Sequence, residues 1–325
     1  MIVARLALSA ALALGMASPA APAAAQSYPE KPIRLIVPFP AGGPADTTAR
    51  IVAQGLTSRM GQPVIIENQA GAGGTFGARE VATANPDGYT LLMVAAANTF
   101  GTAPLLYRLD YDPLRAFTPV ATVVVDKQVM VATMSLPVNT VQDLVAYAKA
   151  NPGYLNYGAA IGVGPHFLME LFRKRTGIDI VHVPYRGSAP IISDLIGGRL
   201  HLTTSGKSVM LPHVQTGRLR ALAVTAAERW PELPDVSTLV EAGYMDMPYD
   251  TLFGIVAPTG TPAAVIDKLN AAINDVLRSP GGRASFVRRG IEPKITTPGE
   301  FAAIIAEEAP KWAEVVRITG IRGEQ

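Results

Sequence analysis

The sequence predicts an α/β protein of two domains built around largely parallel sheets. The chain has 325 residues, of which 49% are hydrophobic and 17% are charged, and this length suffices to bury a core in about two domains. Short β-branched runs alternate with helical periodicity along most of the chain. The last two predicted helices follow each other with little strand between them. The second domain is therefore expected to be inserted within the first.

The N-terminal residues, 1–25, predict a secretory signal peptide. Arg5 precedes an apolar run over 6–16, and Ala23 and Ala25 form an Ala-x-Ala cleavage pattern. This run is shorter than the roughly 18 apolar residues that a membrane helix needs. Because the sequence has no cysteine, we expect neither disulfides nor a lipid anchor on an N-terminal cysteine. The mature protein is expected to begin near Gln26, in a bacterial periplasm.

Short runs rich in β-branched residues and bounded by turn residues predict the strands. They cover 33–38, 64–67, 90–94, 119–125, 129–133, 155–159, 180–185, 200–204, 219–225 and 252–258. The helices between them carry N-terminal signals. These are Asp46 or Thr47 for 47–60, Thr140 for 141–150, Thr261 with Pro262 for a helix ending at 277, and Thr297 with Glu300 as a capping box.

Loops rich in Gly, Ala, Ser, Thr and Pro follow several predicted strands, and each is expected to open a helix. They cover 40–46, 71–78, 158–167 and 185–190. In an open α/β sheet the ligand crevice lies beyond the carboxyl ends of the strands. Backbone N–H groups at a helix N-terminus lack an internal partner and carry partial positive charge. These loops are therefore expected to hold an anion without the help of Lys or Arg.

Charge and motif spacing weigh against several other function classes. The formal charge of +2 includes Arg5, and no run of Lys and Arg is longer than three residues, so no nucleic-acid partner is expected. The glycines of 71–77 are spaced GxGxxxG and lack the acidic residue of a dinucleotide site. There is no GxSxG nucleophile elbow, no Cys nucleophile and no HExxH metal motif. We expect no enzyme activity, no cofactor and no metal.

Individual residues allow more than one interpretation. His166 and Glu170 lie one helical turn apart and could ligate a metal, although packing or a contact at the helix start is the simpler interpretation. Asp46 is a candidate general base, or it caps its helix or braces the glycine loop. Lys207 could pair with a ligand carboxylate or lie solvated at the surface. Three aromatic residues near strand ends could line a pocket or belong to the core: Phe39, Phe76 and Tyr185.

Successive motifs from Tyr28 almost to the C-terminus resemble the receptors of tripartite tricarboxylate transporters, the Bug or TctC family. They are YPEKPIRLIVPFPAGGPADTTAR, ENQAGAGGTFGAREVATANPDGYTLL, LNYGAAIGVGPHF, VHVPYRGSAPIISDLIGG, LPHVQTGRLRALAVT and FGIVAPTGTP. The resemblance implies a class II periplasmic solute-binding protein, with two α/β lobes joined by two crossover strands. Such a receptor closes on a small carboxylate, delivers it to a membrane permease and has no catalytic residues.

The resemblance also implies domain boundaries and, together with the residue interpretations above, gives the expected ligand-binding residues. The first domain is expected to comprise 26–124 and 250–325 and the second 125–249, with hinges near 124–128 and 249–253. The expected ligand-binding residues are Phe39, Pro40, Ala41, Gly42, Gly43, Asp46, Thr75, Phe76, Ala159, Ala160, Ile161, Gly162, Gly164, His166, Tyr185, Arg186, Gly187, Ser205 and Lys207.

Departures from the family pattern bear on the ligand. GAAIGVGPH replaces a hydroxyl-rich stretch, TTSGKS brings in Lys207, and Leu252 stands where tryptophan is frequent. We therefore expect a carboxylate with an apolar or aromatic body, such as terephthalate, ahead of citrate. A ligand-presenting accessory for a sensor kinase is the alternative, and a periplasmic enzyme is a further one.

Overall fold

The computed structural model describes residues 28–246 and 248–322. The predicted signal peptide and its cleavage site near Ala25 lie outside these residues. The described chain folds into two α/β lobes joined through one continuous sheet. None of the described helices is long and apolar enough to cross a membrane.

The first lobe begins with alternating strands and helices. These are β1 (Ile33–Val37), α1 (Pro44–Met60), β2 (Val64–Asn68), a 3₁₀ turn (Ala72–Gly74), α2 (Thr75–Ala82) and β3 (Thr90–Ala95). A π-helix (Ala97–Thr102) and the short helices α3 (Ala103–Leu106) and α4 (Pro113–Ala116) lead to the long strand β4 (Phe117–Thr133).

The second lobe follows β4, and the chain then returns to the first lobe. The second lobe contains α5 (Val141–Ala150), β5 (Asn156–Ala159), α6 (Gly164–Thr176), β6 (Val181–Pro184), α7 (Ser188–Ile196), β7 (Leu202–Gly206), α8 (Lys207–Gln215) and β8 (Leu219–Val224). The return comprises β9 (Asp250–Pro258), α9 (Ala263–Arg278), α10 (Pro280–Val287), β10 (Glu292–Pro293) and α11 (Pro298–Thr319).

Strand β4 is the first connection between the lobes. It pairs with β9 as far as Lys127, which lies opposite Asp250. From Gln128 onward it pairs with β7 of the second lobe, beginning opposite Gly206. The sequence predicted two strands here, because Asp126–Lys127–Gln128 reads as a polar break, and that division is wrong. The polar residues continue the ladder and place the change of lobe inside one strand.

The sheet is mixed, whereas the sequence predicted largely parallel sheets. β1 pairs in parallel with β2 and β3, and β5 pairs in parallel with β6 and β7. Strand β4 is antiparallel to β7, β8 and β9, and β3 is antiparallel to β9. The antiparallel pairs arise because β4 leaves the first lobe and β9 re-enters it. The parallel units on either side keep their strand-to-helix loops facing the space between the lobes.

The C-terminal helix α11 contacts both lobes. Phe301 is buried in the core of the first lobe, whereas Trp312 packs edge-on against Phe167 of α6, with ring centroids 5.9 Å apart. Trp312 also meets Tyr249, just before β9, at a centroid distance of 5.4 Å. The C-terminal helix therefore spans the two lobes near their second connection.

Helix starts followed the sequence signals in most cases. Capping boxes form at Thr140 before α5 and at Thr297 before α11. Helix α1 begins earlier than predicted, with Gly43 rather than Asp46 or Thr47 as its N-cap. Proline at the first helical position needs no N–H partner, so Pro44 extends the helix toward the glycines. The sequence did not predict α10 or β10.

Candidate ligand-binding site

The candidate site is a cavity of about 840 Å³ between the lobes, part of which opens to solvent. The first lobe contributes Phe39, Pro40, Gly43, Pro44, Ala45, Ala95, Ala97 and Asn98. The second contributes Ala159, Ala160, Val163, Gly164, Pro165, Arg186, Gly187, Ser188, Ile191, Thr204, Ser205 and Gly206. The connecting strands and the residue before β9 contribute Gln128, Tyr249, Thr251 and Phe253.

The predicted site residues divide into two sets. Those that line the cavity are Phe39, Pro40, Gly43, Ala159, Ala160, Gly164, Arg186, Gly187 and Ser205. The remaining predicted residues do not line this cavity: Ala41, Gly42, Asp46, Thr75, Phe76, Ile161, Gly162, His166, Tyr185 and Lys207. Several of these hold the lining loops in place instead.

The N-termini of α1, α6, α7 and α8 meet at the cavity. Each helix begins at or beside a glycine that lines it: Gly43, Gly164, Gly187 and Gly206. The first N–H groups of a helix lack intrahelical acceptors, and the helix dipole places partial positive charge there. Because the four helix N-termini converge on the cavity, the cavity favours the binding of an anion.

The charge of the lining residues also favours an anion in the cavity. Among the lining residues that the structure describes, Arg186 is the one charged side chain. It is exposed, and its guanidinium forms no hydrogen bond or ion pair within 28–246 and 248–322. Since no carboxylate lines the cavity in this part of the chain, a bound anion meets positive groups without an opposing negative charge.

Asp46 braces the glycine loop rather than lining the cavity. The buried carboxylate accepts from the Gly42 backbone N–H at 2.9 Å, from Arg50 Nε at 2.9 Å and from Asn68 Nδ2 at 3.0 Å. Burial alone raises the pKa of Asp46, but these hydrogen bonds outweigh it and hold the pKa below its usual value. Gly42 adopts a positive φ of 81°, so the bond from its N–H to Asp46 stabilises a turn that favours glycine.

The loop 71–78 does not deliver its predicted residues to the cavity. Phe76 is 64% exposed, and its ring covers Gly71. Thr75 is buried at the start of α2. Gly71, Gly73 and Gly74 adopt positive φ values, and the loop forms the 3₁₀ turn there. Thr75 and Phe76, which follow this turn, do not line the cavity.

The loop after β5 reaches across to the first lobe. Thr102 Oγ1 donates to the Gly162 carbonyl at 3.0 Å, and Tyr107 Oη donates to the Ile161 carbonyl at 3.4 Å. Ile161 and Gly162 thus contact the opposite lobe, while Ala159, Ala160 and Gly164 line the cavity. These two hydrogen bonds connect the lobes at this side of the cavity.

His166 supports the same loop from behind. Its Nδ1 accepts the Gly162 N–H at 3.3 Å, and its ring stacks on His182 at a centroid distance of 4.1 Å. Burial, followed by the neighbouring His182, lowers the pKa of His166 to about 4, so the ring is a neutral acceptor near pH 7. Glu170 is bonded to Tyr157 and Arg173, and no cluster of metal-ligating side chains occurs among the described residues. His166 therefore makes the contact at the start of its helix that the sequence indicated.

Lys207 and Tyr185 are engaged elsewhere. Lys207 is 4% exposed, and its Nζ lies 2.8 Å from Glu232 Oε2 and above the Trp230 ring. Its ammonium group therefore serves a structural ion pair, and neither a ligand pair nor a solvated surface position fits it. The Tyr185 hydroxyl donates to Asp194 at 2.6 Å.

Sequence reasoning missed polar residues of the lining. Asn98 follows β3 in the π-helix, and Gln128 lies at the change of lobe in β4. Tyr249 and Thr251, at the start of β9, are joined by a 3.1 Å hydrogen bond between their hydroxyls. Asn98 could have been found as a polar residue just past a strand end. Gln128 carried no such signal, because it was assigned to a break between strands.

The fold and the cavity define a class of protein: a two-lobed solute-binding receptor with a cavity between the lobes. The chain belongs to the tripartite tricarboxylate transporter receptor family, whose family model matches residues 48–321. The predicted fold class and the predicted family are therefore confirmed.

Relatives match along nearly the whole chain. Protein BugT of Bordetella pertussis is 38% identical over 305 residues, which cover 93% of this chain and 94% of that protein. The structure of Rpa4515 from R. palustris with adipate is 36% identical, with a TM-score of 0.86, and the match covers 91% of this chain and 100% of that chain. MatC from Rhodopseudomonas palustris, with bound malate, is 32% identical, with a TM-score of 0.83, over 89% of this chain and 100% of that chain.

Proposed function

We propose that the protein captures a small carboxylate in the periplasm by closure of its two lobes and delivers it to the membrane subunits of a tripartite tricarboxylate-type transporter. The observation that carries the proposal is the meeting of the α1, α6, α7 and α8 N-termini on one cavity. An unpaired carboxylate is costly to bury, and converging N–H donors offset that cost. The relatives with bound adipate and malate support the same ligand class.

Closure follows from the way the lobes share the ligand. The first lobe supplies the N-terminus of α1 and the second lobe those of α6, α7 and α8, so the closed state makes ligand contacts that an open state lacks. The ligand shifts the equilibrium toward closure by this difference in affinity. We place the hinges at 124–128 and 249–253 and the domain boundaries at 124/125 and 249/250. The change of pairing partner within β4 supports the first hinge.

For the body of the ligand we propose an apolar or aromatic group, with terephthalate as the simplest aromatic example. Phe39, Val163, Ile191 and Phe253 stand in the lining beside several alanines. Lys207 does not support this choice, because it pairs with Glu232. We propose that Arg186, which lines the cavity, pairs with a carboxylate of the ligand.

A thermal-shift panel on the protein lacking residues 1–25 tests this proposal. The panel comprises terephthalate and other aromatic carboxylates, aliphatic dicarboxylates, citrate, amino acids and sugars. A ligand at 100 times its Kd stabilises the native state by about 2.7 kcal/mol, and we expect the aromatic carboxylates to give the largest rise in Tm. A larger rise in Tm with citrate or aliphatic dicarboxylates would contradict the proposed aromatic body of the ligand but leave the proposal of a carboxylate ligand standing. Stabilisation by uncharged sugars alone would refute the carboxylate receptor.

A further inference from the structure

We propose that the buried carboxyl group of Asp126 takes up a proton when the carboxylate ligand binds, so that the receptor loads ligand and proton together. The inference rests on the proposed function and adds proton coupling to it. Asp126 belongs to the connecting strand β4, where it lies opposite Thr251 of β9. Although no carboxylate lines the cavity in the described chain, this one lies directly behind the lining.

The strand register places Asp126 on the cavity side of the connecting strands. Side chains alternate between the two faces of a strand, so Asp126 and Gln128 share one face of β4. Gln128 lines the cavity, and so does Thr251, the partner of Asp126 in the ladder. Asp250 pairs with Lys127 one position along, and both of these residues therefore lie on the opposite face of the sheet.

The Asp126 carboxylate fills the space between β4 and the start of α8. The residue is 0% exposed, and a Cβ at Gly206, which lines the cavity, would overlap Asp126 Oδ2. Oδ1 accepts from the Ser208 backbone N–H at 3.2 Å, and Oδ2 accepts from the Ser208 hydroxyl at 2.6 Å. An ionised Asp126 therefore occupies the positive end of α8, which a ligand anion would otherwise use.

The surroundings of Asp126 disfavour its charge. Burial raises the pKa of Asp126 to about 6, although the two bonds from Ser208 oppose this rise. The charge of Asp250 on β9 also raises the pKa, whereas that of Lys207 on α8 lowers it. Lys207 is itself paired with Glu232, and no cation bonds to the Asp126 carboxylate among the described residues.

The other ionisable groups near the connecting strands are paired or neutral. Lys127, beside Asp126 in β4, pairs with Glu292 of β10 at 2.8 Å. Burial raises the pKa of Tyr249, which precedes β9, so its hydroxyl stays protonated near pH 7. Asp126 is thus the buried carboxyl group on the cavity side whose charge a proton can remove.

A bound carboxylate favours the protonated form of Asp126. An anion at the α8 N-terminus lies across the Gly206 backbone from Asp126, and charges this buried are screened far less than surface charges. Above its pKa the free receptor is mostly ionised at Asp126, so binding at neutral pH draws in a proton. The affinity for ligand therefore rises as the pH falls towards the pKa of the free receptor, and it levels off below that pKa.

Calorimetric titration at pH 6, 7 and 8 tests the inference, with terephthalate or, if terephthalate does not bind, with adipate. A tenfold rise in the proton affinity of Asp126, which corresponds to about 1.4 kcal/mol, makes the Kd about fivefold lower at pH 6 than at pH 8. Titrations at pH 7 in PIPES and in imidazole, whose ionisation enthalpies differ, should show the uptake of about 0.4 proton per ligand.

Asp126→Asn removes the titrating charge and keeps both contacts with Ser208, because a hydroxyl can accept as well as donate. This variant should lose the proton uptake and the pH dependence of the Kd. At pH 8 it should bind about tenfold tighter than the wild type, since its ligand no longer meets the opposing charge. A purely structural role of Asp126 would instead weaken binding at every pH.

Asp250→Asn is the matched control. Asp250 also carries a buried carboxyl oxygen in a connecting strand, but it lies on the face of the sheet away from the cavity. This variant should retain the proton uptake.

Three results would overturn the inference and leave the carboxylate receptor standing. They are equal Kd values at pH 6 and pH 8 without buffer dependence, proton uptake that survives Asp126→Asn, and loss of the uptake in Asp250→Asn. Absence of binding by every carboxylate of the thermal-shift panel would overturn both proposals.

Discussion

Gly164→Ala is expected to lower both the stability of the protein and its affinity for ligand. A Cβ at this first residue of α6 would overlap the Tyr249 hydroxyl and lie 2.6 Å from Tyr249 Cζ. Tyr249 is buried just before β9 and has little room to move, because its ring meets Trp312 and its hydroxyl bonds Thr251. Overpacking of this kind costs about 1–3 kcal/mol of unfolding free energy. Because both residues line the cavity, the Kd should also rise by at least about tenfold.

Urea denaturation and calorimetry measure the two effects. Gly281→Ala is the control: Gly281 also lies in the first turn of a helix, α10, and a Cβ there meets nothing within 4 Å. The Gly281→Ala substitution should change neither the free energy of unfolding nor the Kd much. Adding Tyr249→Phe to Gly164→Ala removes the overlapping oxygen and should recover part of the stability. If Gly164→Ala behaved like Gly281→Ala, the close packing of α6 on the second connection would be wrong.

Gly187→Val is expected to weaken binding while leaving the folded lobes intact. A Cβ at Gly187, which precedes α7 in the second lobe, would lie 3.0 Å from Cγ of Pro40 in the first lobe. Gly187 has φ 173°, an extended conformation that valine adopts freely, so the backbone is not strained. The clash exists only where the lobes meet. An overpacking cost of about 1–3 kcal/mol on the closed state corresponds to a rise in Kd of roughly 5- to 150-fold.

The free energy of unfolding without ligand separates this effect from misfolding. It should change by less than about 0.5 kcal/mol, as for substitutions away from packed contacts, because an open protein separates Gly187 from Pro40. Pro40→Ala, combined with Gly187→Val, should restore part of the affinity. Equal losses of stability and affinity in the single variant would contradict the role of closure in binding.

Local chemistry explains why much of the site could be predicted. A strand followed by a glycine-rich loop and a helix is encoded within a dozen or so neighbouring residues, so the loops at Gly43, Gly164 and Gly187 could be placed at the cavity from the sequence. Lys207 could not be placed, because its partner Glu232 lies in a distant loop whose position only the fold determines. Gln128 was missed for a related reason: a polar residue within a continuous strand resembles a strand break until its pairing partners are known.

The same distinction applies to the sheet. The parallel β1–β2–β3 and β5–β6–β7 units follow from alternating strands and helices. The antiparallel centre depends on β4 meeting β9, whose first residue lies more than a hundred positions along the chain. The periodicity of the sequence does not predict which distant strands pair with each other. The predictions therefore succeeded where neighbouring residues determine the structure and failed where distant segments meet.

We expect the converging helix N-termini to make the cavity selective for an anion. Calorimetric titration of the tightest-binding carboxylate against its uncharged primary amide, at one ionic strength, measures this selectivity. The two molecules have nearly the same shape, and the amide lacks the negative charge. Since each helix end contributes about 0.3–1 kcal/mol toward a nearby anion, the carboxylate should bind at least about tenfold tighter. Equal affinity of the amide would contradict this selectivity.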